Sequence, residues 1–360
     1  MRIAFVLVSY RRDAPAGMER SVAALAAGLR QLGHQPFVLT AAAHPGDPAT
    51  VPLPGVRLDL PADDEDLRSM LHTLPDLEVD LAELYRAHGI DLVCYVDALW
   101  GLGARAPQRS SARSTLTVHV VGDGPELPAA LARNPHAVTA PSGTVLQQAA
   151  ARGHDITRWQ VVANGLLNSP PEVDGREALR VQGPVRLLAR LGPEKGVAEC
   201  LDALPAGFER PVQVALAAAG FEVDRGSQRR VFVDCRRIAA GRPAIDLCSA
   251  LPWSRVDRFL AGASVVVVPS SAETFGLVAL EAAAAGTPVV AFAVGNLPAL
   301  LGDAAELVPL ANGPDGLWRA VEVLLADPAD YEARSTAGRA LAPAHAPAVV
   351  ADAWLAAVTG

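Results

Sequence analysis

Short runs of β-branched and other apolar residues alternate with longer stretches whose apolar positions recur every three or four residues, and the alternation occurs twice along the chain. In the first half, residues 2–8, 36–40, 91–96, 115–120, 137–140 and 160–162 read as strands, and residues 21–32, 77–87 and 143–151 have helical spacing. In the second half the strand signal returns at residues 185–190, 212–216, 230–233, 245–248, 265–268 and 288–291. Continuously apolar strands separated by helices specify a parallel sheet covered on both faces. Two such series specify an α/β chain of two doubly wound, Rossmann-like domains. Turn signals without core periodicity gather at Asn164-Gly165, Pro170-Pro171, Asp174-Gly175 and Gly183-Pro184. The expected division is a first domain over residues 1–164, a linker over 165–183 and a second domain over 184–343. A closing helix over 344–360 is expected to pack back on the first domain.

Composition changes this picture only by exclusion. A length of 360 residues is too great for one ordinary core and suits two. The net charge of −8 argues against a general nucleic-acid binder, although it leaves room for a local basic pocket. No stretch approaches the roughly 18 to 20 apolar residues of a membrane span. Ser9 and the pair Arg11-Arg12 interrupt the first apolar run, and no cleavage pattern follows it, so it reads as a buried strand of a cytoplasmic protein. Cys94, Cys200, Cys235 and Cys248 lack metal-type spacing and read as buried reduced thiols. The acidic run at 63–66, which holds the only Asp-x-Asp, reads as a solvated surface loop, and no metal site is expected.

The strongest chemical signal follows the strand at 265–268. A loop there carries Glu273, and a helix starts near Phe275, Gly276 and Leu277 and carries Glu281. Unpaired N–H groups and the positive end of the dipole at such a helix start suit a diphosphate. Carboxylates at 273 and 281 suit paired hydroxyl donors, such as those of a sugar and a ribose. The small, apolar neighbours of Glu281 bury it, so it needs a partner. A second cluster, Arg190-Leu191-Gly192-Pro193-Glu194-Lys195-Gly196, places two cations around a glycine turn at a strand end, where an open parallel sheet binds its ligand. In the first half, Gly17 precedes a helix and His119 ends a strand. Taken alone, each reads more readily as a structural residue than as a functional one.

Together these strings resemble one family. Glu273 through Glu281 is similar to the E-x7-E motif of retaining glycosyltransferases of family GT4, which have the GT-B fold of two Rossmann-like domains facing a cleft. Arg190 to Gly196 resembles that family's G-R-L-x-x-x-K-G string, with Ala189 in place of its leading glycine. Val294-Gly295-Asn296 resembles its GG-x-x-E loop, with Asn296 in place of the second glycine. Ala16-Gly17-Met18-Glu19-Arg20 is similar to its GG-x-E-R loop, and His119 to its T-x-H histidine. The resemblance implies that Glu273 contacts the donor sugar, that Glu281 binds the ribose, and that Arg190 and Lys195 hold the diphosphate. It implies that Gly17, Gly192, Phe275, Gly276 and Leu277 line the donor site, with His119 as a further donor contact. It implies retention at the anomeric carbon, a nucleoside-diphosphate sugar as substrate, a UDP-sugar before a GDP-sugar, and a hydroxyl acceptor. No cofactor is expected beyond that donor, and metal-independent transfer is expected.

Other readings remain at this level. Gly101-x-Gly103-x-x-Ala106 matches a dinucleotide fingerprint, although the string sits several residues past its strand. A non-catalytic nucleotide-sugar-binding protein with the same fold, or a sugar-nucleotide epimerase or phosphorylase, is also consistent with the fold class.

Overall fold

The computed structural model describes residues 1–11, 17–41, 49–57, 59–96, 98–171, 173–222 and 224–360. The expected alternation of strand and helix is present, and the chain divides into two units. Among the described residues the first takes in residues 1–11, Met18–Leu167 and His345–Gly360, and the second takes in Gly17 and Asn168–Ala344.

In the first unit β1 (Arg2–Val6), α1 (Gly17–Gln31), β2 (Gln35–Thr40), β3 (Thr50–Pro52), α2 (Asp64–His72) and α3 (Leu77–Ala87) come first. They are followed by β4 (Leu92–Val96), β5 (Arg113–Thr117), α4 (Glu126–Leu131), β6 (Ala137–Ala140), α5 (Gly143–Ala151) and β7 (Trp159–Val161). The seven strands form one parallel sheet in the order β3-β2-β1-β4-β5-β6-β7. The second unit contains α6 (Arg176–Gln182), β8 (Val185–Arg190), α7 (Val197–Asp202), β9 (Val212–Ala217), α8 (Ser227–Ala240), β10 (Ile245–Cys248) and α9 (Trp253–Ala261). It continues with β11 (Val265–Val268), α10 (Leu277–Ala284), β12 (Val289–Phe292), α11 (Leu297–Leu301), β13 (Ala305–Val308), α12 (Gly313–Ala326) and α13 (Pro328–Arg339). Its parallel sheet has the order β10-β9-β8-β11-β12-β13. The last helix, α14 (Pro347–Thr359), belongs to the first unit, where Trp354 lies against Phe5 of β1 at 5.6 Å between ring centroids.

Burial on both faces explains the unbroken apolar strands. In β11, Val265 and Val267 join the core on one side of the sheet, and Val266 and Val268 join the core on the other. Successive side chains of a strand point to opposite faces, so four consecutive valines serve two cores at once.

Three local expectations change. Residues 230–233 are not a strand but the middle of α8. Gln228, Val231, Cys235 and Ile238 share its inward face, while Phe232 and Val233 are 40% and 53% exposed, so the β-like wording was solvent-side content of a helix. The acidic run at 63–66 is not a loop: Asp63 caps α2, accepting from the N–H groups of Glu65 and Asp66, and Asp66 closes a capping box. The stretch at 165–183 holds α6, whose Arg176 is buried and fastens it to the second unit. That guanidinium donates to the carbonyls of Ala263 (3.0 Å) and Ala285 (3.1 Å) and to Thr287 Oγ1 (3.0 Å). Arg176→Met would leave those carbonyls dry and unpaired and is expected to cost about 3 kcal/mol or more of stability. Arg176→Lys would not restore the planar fork. Chemical denaturation checks both, and a Lys variant as stable as the parent would refute the account.

Two buried groups of the first unit titrate in opposite senses. Burial lifts the Glu19 carboxyl from its ordinary 4.5 to about 7, against the lowering effects of its hydrogen bond from Ser9 (2.7 Å) and of Arg11. Burial lowers His119 from 6.5 to about 4, so its imidazole is neutral at pH 7. For Glu19 the folded state holds a proton that the unfolded chain gives up, so its contribution falls as pH rises from 4.5 to about 7. For His119 the unfolded chain binds the extra proton, so stability is lost as pH falls from 6.5 to about 4. The two slopes oppose each other where the windows overlap. Glu19→Gln is expected to expose the His119 slope and to raise stability at pH 8 by up to about 3 kcal/mol. Denaturation curves at pH 5 and pH 8 test this, and an unchanged difference between them would sink it.

Candidate functional site

The second sheet reverses direction between β8 and β11: the chain leaves β8 towards β9 and β10, then crosses back to β11 and runs on to β12 and β13. Loops from two adjacent strand ends diverge there and leave a crevice, the usual ligand position in an open parallel sheet. Both sequence clusters fall on those two loops.

After β8, Leu191 N–H still donates to Ala217 (3.0 Å), and the chain then turns at Gly192 into a 3-10 turn, Pro193–Lys195. Arg190 pairs with Glu194 of that turn. After β11, the loop carries Glu273 towards the same place, and Lys195 Nζ donates to Glu273 Oε1 at 2.6 Å. Both side chains of this pair are largely buried, at 18% and 14% exposure. Lys195 is the single lysine among 31 basic residues, in a chain that uses arginine everywhere else. A compact ammonium with three rotatable donors fits a confined pair where a planar fork does not.

Glu273 is held from behind by its backbone. Its carbonyl accepts from the Asn296 N–H (3.1 Å), and Asn296 Nδ2 donates to the Phe275 carbonyl (3.2 Å). Gly295 has φ +53, and a Cβ there would lie 1.8 Å from the Glu273 carbonyl oxygen, so no side chain fits. Asn296 has φ −85, an ordinary value, which explains why the second glycine of the pattern is dispensable here. Gly276, at φ +100, caps α10, and the helix proper starts at Leu277 with Phe275 buried just before it. Glu281 lies in the second turn of α10 and is buried at 9% exposure.

The structure therefore gathers Arg190, Gly192, Lys195, Glu273, Phe275, Gly276, Leu277 and Glu281 within the second unit. His119 belongs to the first unit, whereas Gly17 is grouped with the second, where a Cβ on it would meet Leu277 Cδ2 at 3.9 Å. His119 lies two residues beyond the end of β5, not at its last residue, because the ladder with β6 stops at Thr117. Its ring lines a cavity of about 30 Å³ in the first unit, shared with Ser21, Thr117, Thr139, Asn164 and Trp354. Gly17 is the first residue of α1, and the preceding residues Ala14 to Ala16 lie outside the described residues. Glu194 and Glu19 stand inside the quoted strings, but the strings give neither of them a role. The signal for Glu194 was its i,i+4 spacing from Arg190, and for Glu19 an acid inside an otherwise buried helix stretch. The dinucleotide-like string Gly101 to Ala106 forms a 3-10 turn, Leu102–Arg105, and the next element is a strand rather than the helix that such a fingerprint requires.

Comparisons with known proteins agree in both halves. Residues 185–327 match the family described as Glycosyl transferases group 1, and residues 16–165 match the Glycosyl transferase 4-like domain. Over 160 residues the chain is 36% identical to a glycogen synthase of Mycobacterium tuberculosis, covering 44% of this chain and 38% of that protein. Over 174 residues it is 32% identical to a D-inositol 3-phosphate glycosyltransferase of Segniliparus rotundus, covering 48% and 38%. These matches thus span less than half of the relatives' length. Among solved structures, sucrose-phosphate synthase from Thermosynechococcus elongatus superposes with a TM-score of 0.78 at 21% identity, covering 99% of this chain and 98% of that one. HepE of Anabaena, in complex with UDP and glucose, superposes with a TM-score of 0.76 at 16% identity, covering 100% and 99%. Both halves of the sequence and both sheets of the fold lead to one assignment: the chain belongs to the group 1, or GT4, glycosyltransferases and has the GT-B fold.

Proposed function

We propose that this chain is a retaining glycosyltransferase that moves a sugar from a nucleoside-diphosphate sugar, UDP-sugar first, to a hydroxyl of a glycan or small-molecule acceptor. The observation that carries the reading is the convergence of Arg190, Lys195 and Glu273 at the strand switch, with Glu281 buried in the adjoining helix. The HepE structure with UDP and glucose supports the choice of nucleotide by likeness of fold.

In this reading Glu281 accepts from the ribose hydroxyls and Glu273 from hydroxyls of the donor sugar. Arg190 and Lys195 meet the diphosphate oxygens, together with the N–H groups at the start of α10. As the bond from the anomeric carbon to the leaving phosphate oxygen breaks, its electron pair goes to the diphosphate. Fixed positive groups there stabilise the charge as it develops, without reorganising. The acceptor oxygen bonds the anomeric carbon from the face the phosphate leaves, and its proton passes to the departing diphosphate. Metal-independent transfer belongs to the same reading, in which the directed N–H donors of Arg190, Lys195 and the start of α10 meet the diphosphate.

A thermal-shift titration with UDP, GDP, dTDP, ADP and NAD tests the binding half. UDP at a hundred times its dissociation constant is expected to add about 2.7 kcal/mol of apparent stability. Stabilisation by NAD alone would overturn the reading. Proton NMR of the glycosylated product tests retention, and unchanged turnover in EDTA tests metal independence.

Substitutions separate the roles. Glu281→Ala is expected to raise the donor KM at least tenfold, a loss of roughly 1.4 kcal/mol or more. Lys195→Arg is expected to lower kcat/KM by about a hundredfold although the charge is kept, since the ammonium is confined against Glu273. Parental kinetics in the Arg variant would show that charge alone matters at this position.

A further inference from the structure

Glu194 has no role in the reading above, yet it links both loops of the site. Its carboxylate is the partner of Arg190, and both of its oxygens are shut off from solvent. Among the described residues no backbone N–H or hydroxyl shares that carboxylate, so Arg190 is its one polar link. The carboxylate rests over Gly192, where a Cβ would lie 2.5 Å from each of its oxygens, so the missing side chain at 192 makes the niche. The Glu194 carbonyl accepts from Ser271 N–H (2.9 Å) and Ser271 Oγ (3.2 Å), two residues before Glu273. The next residue, Lys195, holds Glu273 itself. One 3-10 turn thus binds the cation of the β8 loop with a side chain and the β11 loop with a carbonyl and a neighbouring ammonium.

We propose that Glu194 is a positioning residue: it fixes the Arg190 guanidinium for the donor diphosphate and registers it against the loop that carries Glu273. The proposal rests on the reading that Arg190 contacts that diphosphate. A guanidinium presents five N–H donors in a rigid fork, and one carboxylate engages at most two of them, leaving the others for phosphate oxygens. A free arginine would have to give up its rotamer freedom on binding, a cost that Glu194 removes beforehand.

Charge makes the sign of the test decisive. Arg190, Lys195, Glu194 and Glu273 sum to zero, so deleting the Glu194 carboxylate makes the cluster more positive. A purely Coulombic site would then hold UDP more tightly. A positioned one holds it less tightly.

The experiment is calorimetric titration of UDP into the full chain and into Glu194→Ala, Glu194→Gln, Arg190→Ala and the double variant Arg190→Ala/Glu194→Ala, with the melting temperature of each. Glu194→Ala is expected to weaken UDP about tenfold, as losing a supporting partner commonly does. Glu194→Gln, which keeps an acceptor oxygen, is expected to recover part of that loss. In the Arg190→Ala background the Glu194 substitution is expected to cost nothing further, because it acts through Arg190. Tighter or unchanged UDP binding in Glu194→Ala overturns the proposal, as does a loss that adds in full to that of Arg190→Ala. Unchanged UDP affinity in Arg190→Ala would refute the donor-site reading itself, whereas failure at Glu194 alone leaves that reading standing.

Discussion

The contact on which the second unit's site depends is the ion pair between Lys195 and Glu273, because it joins loops that the topology drives apart. At a switch point the two central strands send their connections in opposite directions, which opens a crevice but gives the loops no common backbone ladder. One backbone hydrogen bond, from Ser271 N–H to the Glu194 carbonyl, crosses between them, and the side-chain pair carries the rest of the link. At 14–18% exposure the pair is sheltered enough that loss of either partner would leave a charge poorly compensated. The surrounding features serve the same end. Gly295 lets the neighbouring loop pass under the Glu273 carbonyl, Asn296 ties that carbonyl and Phe275, and Gly276 turns the chain into α10. The position of Glu281 follows from where α10 starts.

Much of the fold was legible because burial on two faces leaves a plain record. The strands Val185–Arg190, Ile245–Cys248 and Val265–Val268 and the helices Leu77–Ala87 and Gly143–Ala151 have the bounds that apolar spacing suggested. The misses have physical causes. The strands Thr50–Pro52 and Ala305–Val308 are edge strands, one ending in proline and the other carrying the half-buried Glu306, so neither shows the unbroken apolar run of a central strand. In α8 a local β-like string outweighed the longer helical period, although only that period lies on the core. The helix α6 was invisible because its anchor is an arginine, and a buried arginine with three acceptors carries no periodic signal.

The site was legible for a different reason: its residues belong to recognisable strings at two strand ends. What the strings could not convey was pairing. Lys195 and Glu273 are 78 positions apart, and their contact exists only because β8 and β11 are neighbours. Nor could they show which departures matter. Asn296 replaces a glycine without strain because its φ is negative, whereas Gly295 beside it admits no substitute. Spacing treats those two positions alike, and backbone geometry separates them.

The charge balance of the cluster bears on how a polyanion would be recognised in a chain of net charge −8. Two cations each paired to a carboxylate leave no net positive field to draw a diphosphate from solution, and exposed charges further away are screened within about 10 Å. Discrimination then has to come from directed donors at short range: the remaining N–H groups of Arg190, the ammonium of Lys195 and the first amides of α10. Such donors act only when already in place, which is what the paired carboxylates secure. The lone lysine fits this logic. Where net charge decided binding, any of the chain's arginines would serve. Where the direction and size of the donor decide it, position 195 requires the one side chain that the rest of the chain does without.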